Sequence, residues 1–316
     1  MQEKQQRVFA DRDFREIAIA EFYYFTGQAQ KCSDLVEIYI MSSRLELKLS
    51  ACMLYVYSNL TLGNAKASER GLEIIRECLR KEMEAPTSER NTAYCVFAGY
   101  MGTVLLHLST EELPDMKKYM SSLPQGLRIF AANVISHDLY LKGEYSRALG
   151  ICDAALFSCK EIYPVGMIYL YCVTAMCEIS LKNQAEAEKA ILTAWKLAVK
   201  DELIEPFIEL HGLLQGLLES CIRKENPEMY RKISDAVITF SRGWMAVHNP
   251  ASDRPVTDAL TTMEFSIAML ACRDWSNREI AEHMGVSLNT VKHYLTDIFN
   301  KLHVKKRDEL KNFVLK

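Results

Sequence analysis

Proline and glycine are scarce in this chain, 8 and 13 among 316 residues. Strand-like alternation between turn signals is hard to find, which disfavours a β-rich fold. No apolar stretch reaches the ~20 residues that cross a bilayer; the longest runs from Tyr94 to Leu108. The opening MQEKQQR is polar and lacks the apolar core of a secretory signal. The 10 cysteines never form a Cys-x-x-Cys pair, Cys172 and Cys177 coming nearest, and zinc-ligand spacing is absent. They read as buried, reduced thiols of a cytoplasmic protein. Strong charge of one sign is lacking too. A net charge of -3 argues against a protein that coats nucleic acid through bulk charge, but it leaves room for a local reader. From Ala251 to Lys316 there are 10 Lys+Arg against 9 Asp+Glu, so the end of the chain is its less acidic part.

Leu, Ala, Glu, Lys and Met dominate instead, and apolar residues recur at steps of three and four. This is the pattern of helix nearly throughout. The length suits two domains, or a repeat array plus a small domain, and repeats are present. LKGEYSRALGICDAAL (Leu141–Leu156) sets Gly143, Tyr145, Ala148, Cys152 and Ala155 at spacings of two, three, four and three. LKNQAEAEKAILTAW places Ala187, Ile191 and Ala194 in the same way, and LGNAKASERGLEII does so with Gly63, Ala65, Ser68, Leu72 and Ile75. Small residues such as Ala148 and Ala187 let two helices lie close, and Gly143 turns the chain between them.

These segments resemble the tetratricopeptide repeat. Its consensus glycine, aromatic, alanine and alanine fall on Gly143, Tyr145, Ala148 and Ala155. The interval from Ala148 to Ala187 is longer than the ~34-residue period, and the early repeats lack the first-helix tryptophan. Six helical hairpins are expected, at about 10–45, 46–83, 88–122, 125–160, 165–200 and 203–243. Prolines mark the breaks between them. The resemblance implies a superhelix, residues 1–245, whose concave groove binds a ligand or partner. Aromatic residues crowd the expected inner helices (EFYYF, YVY, YLY). Single aromatics at helical spacing are more often core than ligand contacts, so the effector-binding residues are unknown at this point. Glu209 and His211, near Gly212 and Gly216, suggest close helix packing. Residues 246–259, with Pro250 and Pro255, read as a linker.

The last sixty residues carry the sharpest signals. Thr261–Glu264 and Ser276–Glu279 are capping boxes, each opening a helix. The second helix spans Asn277–Met284, Gly285 turns the chain, and Ser287 caps the next helix. In that helix Val291, Leu295, Ile298 and Leu302 form an inward stripe. Asn289, Lys292, His293, Thr296 and Asn300 gather on the other side, with Asp297 the only acid at the margin. A helix–turn–helix with such a face presents it to the DNA major groove. Ser287 and Thr290, beside the free N–H groups of the helix start, suit a phosphate. Lys305, Lys306 and Arg307 can hold a neighbouring backbone.

From Leu260 to about Val314 the sequence resembles the LuxR-type DNA-binding domain. The family's Ser-Asn-Lys-Glu-Ile-Ala stands here as Ser276-Asn277-Arg278-Glu279-Ile280-Ala281. Its Ser-x-x-Thr-Val-Lys is intact at Ser287, Thr290, Val291 and Lys292. Its Lys-Leu-x-Val falls on Lys301, Leu302 and Val304, with the following arginine at Arg307. The arginine of the opening Leu-Thr-x-Arg-Glu is replaced by Met263. The glycine before the scaffold-helix cap is Asp274 or Trp275. The histidine after Thr-Val-Lys-x is Tyr294, and the often basic position is Thr296. The resemblance implies that Lys292, His293 and Thr296 lie at the groove, and it brings Asn277 into the DNA-binding set.

Together these readings predict an all-α protein: a tetratricopeptide-like superhelix followed by a four-helix LuxR-type domain at 260–316. It would be a transcription regulator, an activator as is usual in the family, and a homodimer on an inverted-repeat operator in double-stranded DNA. RNA polymerase and a small-molecule or peptide effector are the other expected partners. The maltose-regulator-like members place an ATPase before such repeats. No Gly-x-x-x-x-Gly-Lys-Ser/Thr motif is present here, so neither ATP nor another cofactor is implied. No catalytic triad, paired carboxylates or metal-ligand set stands out, and an enzyme is not predicted. The rival reading is a helical scaffold whose terminal domain does not bind DNA.

Overall fold

The computed structural model describes the backbone of residues 2–105, 113–159, 162–248 and 260–310, and all of their side chains but those of 2–11 and 244–248. Among the described residues there are helices and turns and no strand, as the periodicity predicts. Paired antiparallel helices build the first part: α1 (Gln2–Phe25) with α2 (Ala29–Val36), α3 (Leu45–Thr61) with α4 (Ala65–Glu84), and α5 (Glu89–Val104) with the 3-10 turn Met116–Ser122. Then come α6 (Gln125–Leu141) with α7 (Tyr145–Ser158) and α8 (Pro164–Ser180) with α9 (Gln184–Ala198). Helices α3, α5, α6 and α8 are buried nearly all round and form the inner layer. Helix α7 buries only Ala148 and Cys152, and α4 one narrow stripe, as outer helices do.

The connections repeat one geometry. At Gly27, Gly63, Gly143 and Lys182 the chain enters the left-handed region, with φ of 75°, 71°, 76° and 65°. In each case the next N–H reaches back to a carbonyl five residues earlier: Gln28 to Tyr23, Asn64 to Asn59, Glu144 to Leu139 and Asn183 to Glu178. Glycine makes this turn at little cost; Lys182 makes it against its own Cβ. The small residues do what their size allows. Ala148 and Ala187 are fully buried, and Gly71 lies where a Cβ would meet Val56 at 2.6 Å.

Later segments pack back on these helix pairs. Helix α10 (Glu205–Glu209) packs against α1 and α8, and α11 (Pro227–His248) packs back on α3 and α4. Leu203, Ile204, Phe207, Ile208, Leu210, Leu214, Leu217 and Leu218 are all buried. Each such side chain contributes about 1.5–3 kcal/mol on burial, so this segment is held firmly against the earlier helices. Helix α11 also runs to His248, into the stretch read as linker. Residues 249–259 lie outside the described residues.

The terminal part comprises α12 (Thr262–Cys272), α13 (Asn277–Met284), α14 (Leu288–Leu302) and the 3-10 turn Arg307–Leu310. Both capping boxes are closed: the Thr261 and Ser276 hydroxyls accept from the Glu264 and Glu279 N–H groups, and each glutamate returns the bond. Gly285 takes φ 63°, and Ser287 caps α14 by accepting from Thr290 N. Asp274, shortly before the Ser276 cap, enters the left-handed region with φ 61°. Aspartate is among the few residues that tolerate this region.

Candidate nucleic-acid interface

Helices α13 and α14 form the helix–turn–helix, and α12 backs them. Ile280, Ala281 and Met284 of α13 are buried with Val291, Leu295, Ile298 and Leu302 of α14. This packing fixes which side of α14 faces outward. Asn289, Lys292, His293, Thr296 and Asn300 are exposed there, as is Asp297 at the edge. The Thr296 hydroxyl donates to the Lys292 carbonyl at 2.9 Å, which leaves its oxygen lone pairs to accept. Ser287 Oγ and Thr290 Oγ1 stand 2.7 Å apart at the helix start, where the first backbone N–H groups of α14 lack intrahelical acceptors. One edge of this face can therefore receive a phosphate while Lys292 and His293 reach toward base edges. The glutamates nearby are largely engaged: Glu282 pairs with Arg278 at 3.1 Å, and Glu264 with Lys301 at 2.7 Å.

The candidates separate into two groups. Ser287, Asn289, Thr290, Lys292, His293 and Thr296 lie together along the outward side of α14, and Lys305 is exposed beyond its end. Arg307 and Asn277 are half-buried and bonded to each other, Arg307 Nη1 donating to Asn277 Oδ1 at 3.2 Å. Arg307 Nε donates to the Ala271 carbonyl at 3.1 Å, and Nη2 donates to the Trp275 carbonyl. The arginine thus ties the last turn to the α12–α13 corner, and its guanidinium is largely spent on the domain itself.

Residues 258–314 match the family described as bacterial regulatory proteins, luxR family (GerE). The C-terminal segment is a LuxR-type helix–turn–helix domain. This match supports a DNA-binding transcription regulator. Neither the curated proteins nor the solved structures contain a match to the chain. Among the described residues no helix is long and apolar enough to cross a membrane.

Among the described residues the terminal domain docks on the helical front part through α12, α13 and the corner between them rather than through α14. Arg273 donates to the Tyr140 hydroxyl at 2.6 Å and to the Ser180 hydroxyl at 2.7 Å. Gln215 Nε2 joins the same two groups, at 3.5 and 3.1 Å. His283 Nε2 lies 2.8 Å from the Gln215 carbonyl, so that nitrogen carries the proton. Lys182 pairs with Glu279 at 3.0 Å, and Ser266 donates to the buried Glu219 at 3.3 Å. Burial works against the charge of Glu219, but the adjoining His211 and hydrogen bonds hold its carboxyl below the ordinary value.

Glycines make the close approach possible. A Cβ on Gly212 would sit 2.6 Å from the Phe265 ring, and one on Gly216 (φ 85°) would collide with Met284. The close packing expected of these two glycines is with the terminal domain. Sequence reasoning missed Arg273, Gln215 and His283 as docking residues, because their partners lie up to 133 residues away. It also passed over Glu205. The available signal was a pair of glutamates four apart in LIEPFIELHGLLQGLL, an otherwise apolar segment.

Proposed function

We propose that the chain is a sequence-specific transcription regulator, an activator after its family, whose tetratricopeptide-like front domain (1–245) senses an effector. The LuxR-type domain (260–316) reads double-stranded DNA through Lys292, His293, Thr296 and Asn289, with Ser287, Thr290 and Lys305 on phosphates. The observation that carries this reading is the exposed, acid-poor outward face of α14 within a helix–turn–helix of matching family. The four equivalent left-handed turns support a repeat array in front. Docking leaves that face open, so DNA contact and docking are compatible. A two-fold dimer would read an inverted repeat and present its activating surface to RNA polymerase.

Effector control has a physical route in one peptide segment. Residues 205–209 pack against α1, α8 and α11. The residues just after them touch the DNA-binding domain through Gly212–Phe265, Gln215–His283, Gly216–Met284 and Glu219–Ser266. A ligand that shifts α10 moves the seat of the DNA-binding domain and hence the spacing of the two readers in a dimer. The test is selection of bound duplexes from a random pool by the full chain at two salt concentrations. Enrichment of an inverted repeat with steep salt dependence is expected. No enrichment by the folded protein would favour a scaffold that binds only protein.

A further inference from the structure

Glu205 and Glu209 lie four residues apart on α10 and share one face. Glu205 is fully buried. Its Oε1 accepts from the Thr61 hydroxyl at 2.7 Å, while its Oε2 has no hydrogen-bond partner. Glu209 accepts from the hydroxyls of Tyr24 and Tyr169, the latter at 2.8 Å. Burial, and then the charge of Glu209, pushes the Glu205 carboxyl up to about 8. Burial pushes Glu209 up to about 7, against the two tyrosine hydroxyls that favour its charge. Among the described residues no lysine, arginine or histidine acts on either carboxyl. The Glu205 charge is felt at Tyr24, Tyr169 and Cys32, and Glu205 in turn feels Glu209.

Glu209 keeps part of its surface accessible although Tyr24 and Tyr169 beside it are buried, so one end of the pair meets solvent. The rings of Tyr24 and Tyr57 stand 6.4 Å apart beside the two carboxyls. Aromatic faces attract cations, and two buried carboxyls can both ionise at little cost only when something positive joins them.

We propose that this centre binds an organic cation, a protonated amine on an apolar or aromatic body, with its ammonium between Glu205 Oε2 and Glu209 and with Tyr24, Tyr57 and Tyr169 around it. As the effector class it rests on the regulator reading; as a binding site it is measured without DNA. Ammonium binding would ionise the two carboxyls and expel their protons to buffer.

The test is calorimetric titration of the full chain at neutral pH with tyramine and with putrescine, using N-acetyltyramine as the neutral control. Two buffers of different ionisation enthalpy are compared. The site predicts saturable binding of at least one amine, none of the amide, and a heat that differs between buffers because protons are released. Glu209→Gln and Glu205→Gln should each weaken binding by about tenfold or more. Glu205→Gln should melt no lower than the parent chain, since the amide matches the protonated carboxyl in shape and neutrality, so its weaker binding is not misfolding. No binding by either amine, equal binding of the amide, or unchanged binding by both variants overturns the proposal. If the DNA selection succeeds regardless, only the effector class falls.

Discussion

Arg273 of the DNA-binding domain donates to the hydroxyl of Tyr140, at the end of α6, at 2.6 Å, and its guanidinium lies 5.4 Å from the centre of that ring. One side chain thus joins two parts of the chain that are 133 residues apart. The same arginine holds Ser180, at the end of α8, and Gln215 completes the group from the segment that follows α10. The ends of two inner helices therefore meet the reader at one point.

Arg273→Ala should loosen the docking by about 1–3 kcal/mol, the value of hydrogen bonds made by a charged donor. Hydrogen exchange should rise in α12 and α13 while α6 and α8 keep their protection. Unchanged exchange in α12 and α13 would show that Arg273 does not hold the domain.

Gly212→Ala should destabilise the chain by roughly 1–3 kcal/mol, because the new methyl meets the Phe265 ring at 2.6 Å. Phe265→Leu in the same chain should recover part of the loss. Strict additivity of the two changes would mean that the ring and the glycine are not coupled.

Arg307 and Lys305 should behave differently although both are basic and close in sequence. Lys305→Ala should reduce the salt slope of DNA binding by roughly one phosphate contact and leave melting unchanged. Arg307→Ala should lower the melting temperature, because three hydrogen bonds within the domain are lost. A fall in salt slope without a change in melting for Arg307→Ala would return this residue to the DNA face.

Acid should release the docked domain. Burial holds the imidazole of His283 below its ordinary 6.5, against the Gln215 carbonyl and the charges of Glu188 and Glu219. The Trp275 ring, 5.3 Å away, covers it. An undocked histidine takes a proton near 6.5 while the docked one resists. Docking is therefore at full strength above that value and is lost as pH falls through the lower docked value. Exchange in α13, corrected for its intrinsic pH dependence, should rise as pH falls below the ordinary histidine value of 6.5, and His283→Gln should flatten this response. A response that persists in His283→Gln would assign the acid effect to another group.

The DNA-binding domain was legible in the sequence because its determinants are local. Thr261 with Glu264, Ser276 with Glu279, Gly285 and Ser287 each act within a turn of their own position, and the Val291–Leu302 stripe sets the rotation of α14. The seat of α10 was not legible. Phe207 and Ile208 read equally well as the next hairpin of an open array, and only packing seats α10 against α1 and α8, far earlier in the chain. Glu209 read as a packing residue for the same reason: its partners Tyr24 and Tyr169 are 185 and 40 residues away. Arg307 matched the family position, and nothing in its neighbours announced that carbonyls would occupy its guanidinium.

The central claim is that the outward face of α14 reads DNA. The most direct measurement is the affinity of the full chain and of Lys292→Ala for the selected duplex and for a scrambled one, across a range of salt. The account predicts tighter binding to the selected duplex. For Lys292→Ala it predicts at least about a tenfold loss, or 1–3 kcal/mol, with the preference over the scrambled duplex reduced. Equal affinity of the two proteins with unchanged preference would contradict it.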